Sequence, residues 1–259
     1  MLFDSHIHTE FSADSEMKAQ AALAAAAQQG LGLVFTEHLD ADYISKDGRS
    51  FTFNPQDYWQ AYSQLRSGEL RLGVEVGMRE STRAVSAAFI RQVPFDMVIC
   101  SQHLVDDIDI YYPDYYAGKD KQTAYSRYLQ QMAANLRAHS FADTLGHIDY
   151  ICRYAPYEDR ELHYQEFAGE IDAVLKTAVS TDTALEINTR RLEAKEALAN
   201  LRPIYERYRE LGGRFVTLGS DAHTVTAVGA HLQLACDFAE SLGLTPVSFQ
   251  HRQMVNCQK

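Results

Sequence analysis

A regular alternation of short apolar segments with longer helical patterns constrains the fold of this chain more than any other feature. The segment 2–8 is followed by an Ala-rich helical pattern over 16–29 that Gly30 closes, and an apolar run at 31–35 comes next. Seven such strand–helix units follow one another, with strands predicted at 2–8, 31–35, 70–76, 95–100, 143–147, 183–187 and 214–218. Strands separated by helices predict a parallel sheet with right-handed crossovers, and both a closed barrel and a doubly wound sheet satisfy that pattern.

The helices between these strands are defined by their periodicity and their ends. Asn54 and Pro55 open the second helix, and Pro203 predicts a restart within the sixth. Helices are predicted at 16–29, 54–68, 80–92, 121–139, 164–179, 192–211 and 225–242, and an extended tail at 247–250. The segment 106–120 holds four tyrosines and is too long for a simple connection, so we expect either a binding loop or lid, or a surface excursion.

Length and composition limit the classes of protein that this chain can represent. The 259 residues are 46% apolar and show neither a low-complexity linker nor a repeat, which favours one domain over 1–259. A net charge of −11 argues against a nucleic-acid or membrane surface, because such surfaces need clustered Lys and Arg. Four widely spaced cysteines, with neither a secretory signal nor a long apolar window, favour a cytoplasmic protein with reduced thiols. The sequence leaves the oligomeric state open.

Residues of the types that commonly bind metals, His, Glu and Asp, stand at the carboxyl end of nearly every predicted strand. In the first strand the period of two places His6 and His8 on one face, with Asp4 behind them. The strand-end candidates are His6, His8, His38, Glu75, His103, His147, Asp221 and His223. Because the carboxyl ends of the strands in a parallel barrel open onto one face, we expect these residues to converge. Imidazole and carboxylate ligands suit zinc, manganese or iron, and their number favours two or three divalent ions that share a bridging ligand.

These strand-end motifs, taken together and in order, resemble a known family. Over nearly its whole length the chain resembles the PHP (polymerase and histidinol phosphatase) superfamily. Six segments carry the resemblance: Asp4-Ser5-His6-Ile7-His8, Glu37-His38, Gly73-Val74-Glu75, Ser101-Gln102-His103, Gly146-His147 and Ser220-Asp221-Ala222-His223. Four segments resemble the histidinol-phosphate phosphatase branch of this superfamily: Asp109-Ile110-Tyr111-Tyr112-Pro113, Gly146-His147-Ile148-Asp149-Tyr150, Arg153-Tyr154 and Leu185-Glu186-Ile187-Asn188-Thr189.

The resemblance implies a distorted seven-stranded (β/α) barrel, similar to a TIM barrel, with a trinuclear metal centre at the carboxyl ends of the strands. By position, the first metal would bind His6, His8, Glu75 and Asp221, the second Glu75, His103 and His147, and the third Asp14, His38 and His223. Asp14 stands where related proteins have histidine, and an N-cap of the following helix is its alternative role. The catalytic centre is expected to comprise His6, His8, Glu75, His103, Asp221 and His223.

Candidate substrate-binding residues lie close to the same strand ends. The resemblance supports a phosphate-binding arginine after the fifth strand, where Arg153 stands, and another after the sixth, where Arg190 and Arg191 are adjacent. Which of the last two would bind phosphate is left open. Glu37 is expected to orient His38 or to meet a cationic part of the substrate, and a solvated carboxylate at the end of a strand is the alternative.

The strand-end residues predict metal-dependent hydrolysis with a metal-bridging hydroxide as nucleophile. The resemblance implies that the substrate is L-histidinol phosphate and that the reaction is a step of histidine biosynthesis. A phosphatase of the same family that acts on another small phosphate ester or on a nucleotide is the main alternative. An exonuclease is disfavoured, because the chain is acidic and lacks a basic and aromatic track for a strand. A barrel that binds metal without catalysis is the third reading, although the set of ligands looks complete.

Overall fold

The computed structural model describes residues 1–257, and it consists of short strands alternating with helices. The strands are β1 Phe3–Ile7, β2 Gly32–Leu39, β3 Leu70–Gly77, β4 Met97–Ser101, β5 Leu104–Val105, β6 Ile108–Asp109, β7 Thr144–Leu145, β8 Ala184–Asn188, β9 Phe215–Gly219, β10 Thr245–Gln250 and β11 Gln253–Asn256. The helices are α1 Ala19–Gln29, α2 Pro55–Tyr62, α3 Arg83–Phe89, α4 Lys121–Ala138, α5 Ala168–Ser180, α6 Lys195–Glu210 and α7 Leu232–Ser241.

The main sheet has the order β1-β2-β3-β4-β7-β8-β9-β10-β11, and all neighbours are parallel except the last pair. The prediction of a parallel sheet with intervening helices is therefore confirmed. The end of β1 also meets the segment that follows β9, since the amide of His8 donates to the carbonyl oxygen of Ala222 at 2.9 Å. The carboxyl ends of β1 and β9 consequently lie side by side.

The strands also carry a small apolar cluster that is separate from the main core. It comprises Phe3, Val34, Met97, Ile99, Ala184, Val247 and Phe249, all buried. The larger core lies between the sheet and the helices, where α1, α4 and α5 contribute buried apolar faces. Close packing on both sides of the strands fixes their ends, which sets the positions of the polar residues there.

Several element boundaries differ from the sequence-based predictions. The tail is not merely extended: it forms β10, which pairs in parallel with β9, and then turns back as β11. The last helix begins at Leu232 rather than at Val225, because a 3₁₀ turn and a left-handed residue, His231 (φ 56°), come first. Helix α6 continues through Pro203 without a restart, so the loss of one N–H donor does not end it.

The segment 106–120 is ordered by a tight hairpin. Strands β5 and β6 pair antiparallel, with Leu104 opposite Asp109. Asp106 and Asp107 form the two-residue turn with φ values of 51° and 59°, the conformation that such hairpins require and that Asp tolerates. A 3₁₀ turn at Pro113–Tyr116 follows. Among residues 1–257, no helix has both the length and the apolar character that a membrane crossing requires.

Candidate active site

The carboxylate of Glu75, near the end of β3, is surrounded by imidazole nitrogens. Its Oε1 atom lies 3.0 Å from Nε2 of His147, 3.2 Å from Nε2 of His103 and 3.3 Å from Nε2 of His6. Its Oε2 atom lies 2.8 Å from Nδ1 of His38 and 3.6 Å from Nε2 of His8. All six side chains are buried. The fold has therefore brought imidazoles from four other strand ends, those of β1, β2, β4 and β7, to the carboxylate on β3.

Asp221, directly after β9, supplies a second carboxylate to the same cluster. Its Oδ1 atom lies 3.4 Å from Nε2 of His8 and 3.9 Å from Nε2 of His6. The residue has a left-handed backbone (φ 54°), which Asp tolerates better than most side chains do. Burial would raise the pKa of Asp221, but the guanidinium of Arg153 and the His6 imidazole hold that pKa well below its usual range. Asp221 therefore stays ionised and available as a ligand.

Asp14, His38 and His223 form a third group at the outer edge of the cluster. Asp14 Oδ1 lies 3.5 Å from Nε2 of His38, and its Oδ2 lies 3.2 Å from Nε2 of His223. Burial opposes ionisation of Asp14, but hydrogen bonds with His223 and His38 lower its pKa well below the usual value. The alternative role of Asp14 as an N-cap is wrong, because α1 starts at Ala19 and its N-cap position is Lys18.

The chemistry of this cluster fits divalent metal ions. Nε2 of His6 and Nε2 of His8 are buried without a hydrogen-bond partner in the protein, although buried polar atoms normally have one. The overlapping groups whose ligand atoms lie within 4.8 Å of one another include His6-His8-Glu75, Glu75-His103-His147 and His8-His38-His223. Convergent nitrogen and oxygen atoms of this kind are what a cation with imidazole and carboxylate ligands requires.

Carboxylates and a hydroxyl outside the cluster orient its imidazoles. Glu186 Oε1 lies 2.6 Å from Nδ1 of His6, and Asp40 Oδ1 lies 3.1 Å from Nδ1 of His103. Ser12 Oγ lies 3.1 Å from Nδ1 of His8. Each contact leaves the Nε2 atom pointing into the cluster, the usual arrangement around metal-binding histidines. These roles were missed from the sequence, although Asp40 follows His38 by two positions and so shares its face.

A cavity of about 300 Å³ opens above the cluster, with His38, His103 and His223 at its base. Its walls are aromatic and come largely from two excursions of the chain, 40–51 and 104–112, together with the turn after β7. The aromatic lining residues are Tyr43, Phe51, Tyr111, Tyr112, Tyr150 and Tyr154. The charged lining residues outside the cluster are Asp40, Arg49, Asp109 and Arg190. The expected excursion at 106–120 thus forms one wall of a cavity, and Arg49 is a lining cation that the sequence did not reveal.

The predicted phosphate-binding arginines have different surroundings. Arg153 is almost buried, and it donates to Asp221 Oδ2 at 2.6 Å and to Asn188 Oδ1 at 2.9 Å. Arg190 lines the cavity with 45% of its side chain exposed, and its Nη1 lies 3.5 Å from Asp221 Oδ1. Arg191 instead donates to Asp149 at 2.6 Å and to Glu161. Of the two adjacent arginines, only Arg190 faces the cavity.

Glu37 does not reach the cavity. It precedes His38 in β2 and therefore faces the opposite side of the sheet, where it is fully buried. Its carboxylate accepts hydrogen bonds from the Thr9 amide at 2.9 Å and from the hydroxyls of Thr9 and Ser12 at 2.6 Å each. The alternative of a solvated carboxylate is wrong, because Glu37 is fully buried. Glu37 is not among the residues that line the cavity, and it reaches His38 through Ser12, whose hydroxyl accepts a hydrogen bond from the His38 amide at 3.2 Å. Glu37 fixes the loop after β1, which includes Ser12 beside His8.

Known proteins are similar to this chain in both sequence and architecture. The family model for the PHP domain matches residues 4–190. A probable histidinol-phosphatase of Clostridium acetobutylicum is 43% identical over 254 residues, which cover 98% of this chain and 99% of that protein. A histidinol-phosphatase of Lactococcus lactis is 32% identical over 85% of this chain and 83% of its own length. The crystal structure of histidinol phosphate phosphatase from Lactococcus lactis, in complex with zinc, L-histidinol and phosphate, aligns with a TM-score of 0.90 at 28% identity, covering 98% of this chain and 99% of that chain.

The cluster at the strand ends and these similarities together define the class of protein. The chain belongs to the PHP domain family, and within it to the histidinol-phosphatase branch. The resemblance drawn from the sequence motifs is confirmed at both levels.

Proposed function

We propose that this chain is a metal-dependent phosphatase that hydrolyses L-histidinol phosphate to L-histidinol and phosphate. The observation that carries the proposal is the buried Glu75 carboxylate among five imidazoles, at the base of a cavity that presents Arg190 on one side and Asp109 on another. The names of the relatives, and the ligands of the Lactococcus lactis structure, support the choice of substrate.

Two or three divalent ions of zinc, manganese or iron would bind in this cluster. We assign the first to His6, His8, Glu75 and Asp221, the second to Glu75, His103 and His147, and the third to Asp14, His38 and His223. The unpaired Nε2 atoms of His6 and His8 and the groups His6-His8-Glu75 and Glu75-His103-His147 support the first two sets. The contact of Asp221 with His8 and those of Asp14 with His38 and His223 support the remaining ligands. When bound, the ions would supply an activated water molecule and neutralise charge on the phosphoryl oxygens.

The arginines would divide two tasks between them. Arg153 holds Asp221 through a short, nearly buried ion pair, so its role is to orient that ligand as well as to add positive charge. Arg190 is exposed to the cavity and stands between Asp221 and His223, so it would bind the phosphoryl oxygens directly. Arg191 is committed to Asp149 and Glu161, and we assign it a structural role.

The leaving group would occupy the aromatic part of the cavity. L-Histidinol phosphate carries an ammonium group and an imidazole ring in addition to its phosphate. Two acidic residues, Asp40 and Asp109, line the cavity outside the cluster. Asp40 contacts His103, so Asp109 would attract the ammonium group. The rings of Tyr111 and Tyr154, whose centroids are 4.9 Å apart, offer apolar faces for the imidazole.

We further propose that residues 1–259 form one domain in which the parallel strands close into a distorted seven-stranded barrel. The hydrogen bond from the His8 amide to Ala222, and the bridge between Ile7 and Ala222, support closure between β1 and β9.

A phosphate-release assay with metal-loaded protein tests the function. Histidinol phosphate is expected to be hydrolysed more efficiently than nucleotides or sugar phosphates, and His103→Ala and Asp221→Asn are expected to lose both metal and activity. His163→Ala is the matched control, because His163 contacts Asp159 away from the cavity. Efficient hydrolysis of another monoester without histidinol phosphate would overturn the substrate, and stoichiometric metal without any turnover would favour a binding module.

A further inference from the structure

Tyr43 connects the two excursions of the chain, 40–51 and 104–112, that line the substrate cavity. Its hydroxyl donates to Oδ2 of Asp109 at 2.5 Å, and the two residues are 66 positions apart in the sequence. Both side chains line the cavity and both are half-buried. The hydrogen bond therefore lies in the lining of the cavity, partly shielded from bulk solvent.

The local backbone on each side directs these two groups toward one another. Asp42 adopts a left-handed conformation (φ 58°), and the amide of Tyr43 closes a turn on the carbonyl of Asp40 at 3.2 Å. On the other side, the β5–β6 hairpin places Asp109, whose Oδ1 atom accepts a hydrogen bond from the Tyr111 amide at 2.8 Å. That bond occupies one carboxylate oxygen and leaves Oδ2 to Tyr43.

The other contacts between the two excursions are weaker. Lys46 pairs with Asp114 at 2.7 Å, but their side chains are 54% and 61% exposed, and exposed ion pairs contribute little. The Lys46 amide also donates to the hydroxyl of Tyr112 at 3.3 Å, near the limit of a hydrogen bond. The hydroxyl of Tyr43 thus makes the strongest link between the walls, and it ends on the one acidic group that we place against the substrate's ammonium.

We propose that Tyr43 is a positioning residue for substrate specificity: by donating to Asp109, it fixes that carboxylate for the cationic leaving group. This inference rests on the proposed function. Tyr43 acts through Asp109, so its effect should appear only with substrates that carry a cation near the phosphate. A hydrogen bond to a charged group is worth enough to change affinity about tenfold or more.

The test compares two substrates, L-histidinol phosphate and p-nitrophenyl phosphate. The leaving group of the second ester carries no cation. Tyr43→Phe is expected to raise KM for histidinol phosphate about tenfold with little change in kcat, and to leave both parameters for p-nitrophenyl phosphate unchanged. In an Asp109→Asn background, the same Tyr43→Phe change is expected to add less than about twofold, because the acceptor is already altered. Tyr157→Phe is the matched control, since its hydroxyl donates to the Lys119 carbonyl outside the cavity.

Three results would overturn the proposal: wild-type kinetics for Tyr43→Phe, equal losses with both substrates, or a full Tyr43→Phe effect in the Asp109→Asn background. A correctly folded Asp109→Asn protein keeps the substrate comparison available even if Tyr43→Phe fails to fold, because it must show the same selective increase in KM. A wild-type enzyme that does not hydrolyse histidinol phosphate would overturn the proposed function together with this inference. A wild-type enzyme that hydrolyses L-histidinol phosphate and p-nitrophenyl phosphate with the same kcat/KM would overturn this inference alone.

Discussion

Glu186 Oε1 lies 2.6 Å from Nδ1 of His6, although the two residues are 180 positions apart in the chain. The other oxygen of Glu186 accepts a hydrogen bond from the His147 amide at 2.7 Å. One carboxylate therefore connects the ends of β1 and β7, which are not neighbours in the sheet, without itself lining the cavity. This contact fixes which nitrogen of His6 is turned toward Glu75.

The first prediction concerns this carboxylate. Glu186→Gln keeps the size of the side chain but removes its charge, so His6 loses the partner that raises its basicity. Replacement of such a partner usually lowers metal affinity 10- to 100-fold, and we expect about that loss here. Competition of metal-loaded protein with a chelator measures it.

The control for Glu186→Gln is Glu206→Gln, because Glu206 is half-exposed and pairs only with Arg202 on α6. It is expected to retain the metal affinity of the wild type. Unchanged affinity in Glu186→Gln would show that His6 needs no carboxylate to act as a ligand.

A second prediction separates the two adjacent arginines. Arg190→Ala is expected to lower kcat/KM about 10- to 100-fold at unchanged stability, because it removes a charged hydrogen-bond donor from the cavity. Arg191→Ala is expected instead to lower the free energy of unfolding by about 2 kcal/mol or more, since it leaves Asp149 without its partner in a largely buried pair. Steady-state kinetics and urea titrations of both variants measure these effects, and the reverse pattern would exchange the two roles.

The cluster around Glu75 was predictable from the sequence because it depends on residue type and strand register. His6, His8, His38, Glu75 and Asp221 stand at the ends of apolar strands, and parallel strands necessarily bring those ends together. No knowledge of side-chain conformation was needed.

Other roles depend on which side chains meet across the fold, and the sequence does not encode that directly. Asp40 and Glu186 contact their histidines only once the strands are packed, and Glu37 is buried because it is one position out of phase with His38. Arg190 and Arg191 are chemically alike, so only their positions in the fold separate them. The parallel pairing of β10 was likewise hidden, because Pro246 and the short apolar run resemble a terminal extension.

A third prediction follows from the close approach of Gly77 to Asp40. A Cβ atom at position 77 would lie 1.8 Å from Asp40 Oδ1, so that carboxylate would have to move away from His103. Gly77→Ala is expected to cost about 1–3 kcal/mol of stability and to weaken metal binding. Thermal unfolding and chelator competition test both effects.

Gly169→Ala provides the comparison, because a Cβ atom there meets nothing within 4 Å and the residue lies in α5. That variant is expected to be neutral or slightly stabilising. If Gly77→Ala behaved in the same way, the packing of Asp40 against Gly77 would not determine the position of His103.

The fourth prediction concerns protons that metal binding must displace. In the metal-free protein, burial lowers the pKa of His38, but the Glu75 and Asp14 carboxylates outweigh burial and raise that pKa to about 10. The ordinary value for histidine is 6.5. Protonation of His38 therefore stabilises the folded, metal-free protein. This contribution to the free energy of unfolding is complete below pH 6.5 and is lost as the pH rises through about 10.

Metal binding has the opposite dependence, because a protonated imidazole cannot be a ligand. Apparent metal affinity is expected to rise between pH 6.5 and about 10, and binding at pH 8 to release about one proton from His38. Calorimetric titration in two buffers of different ionisation enthalpy measures that release. His38→Gln should release about one proton fewer than the wild type, whereas His163→Gln should not differ from it. Identical heats in both buffers for the wild-type protein would mean that His38 is already neutral before the metal arrives, and that the carboxylates around it do not hold its proton.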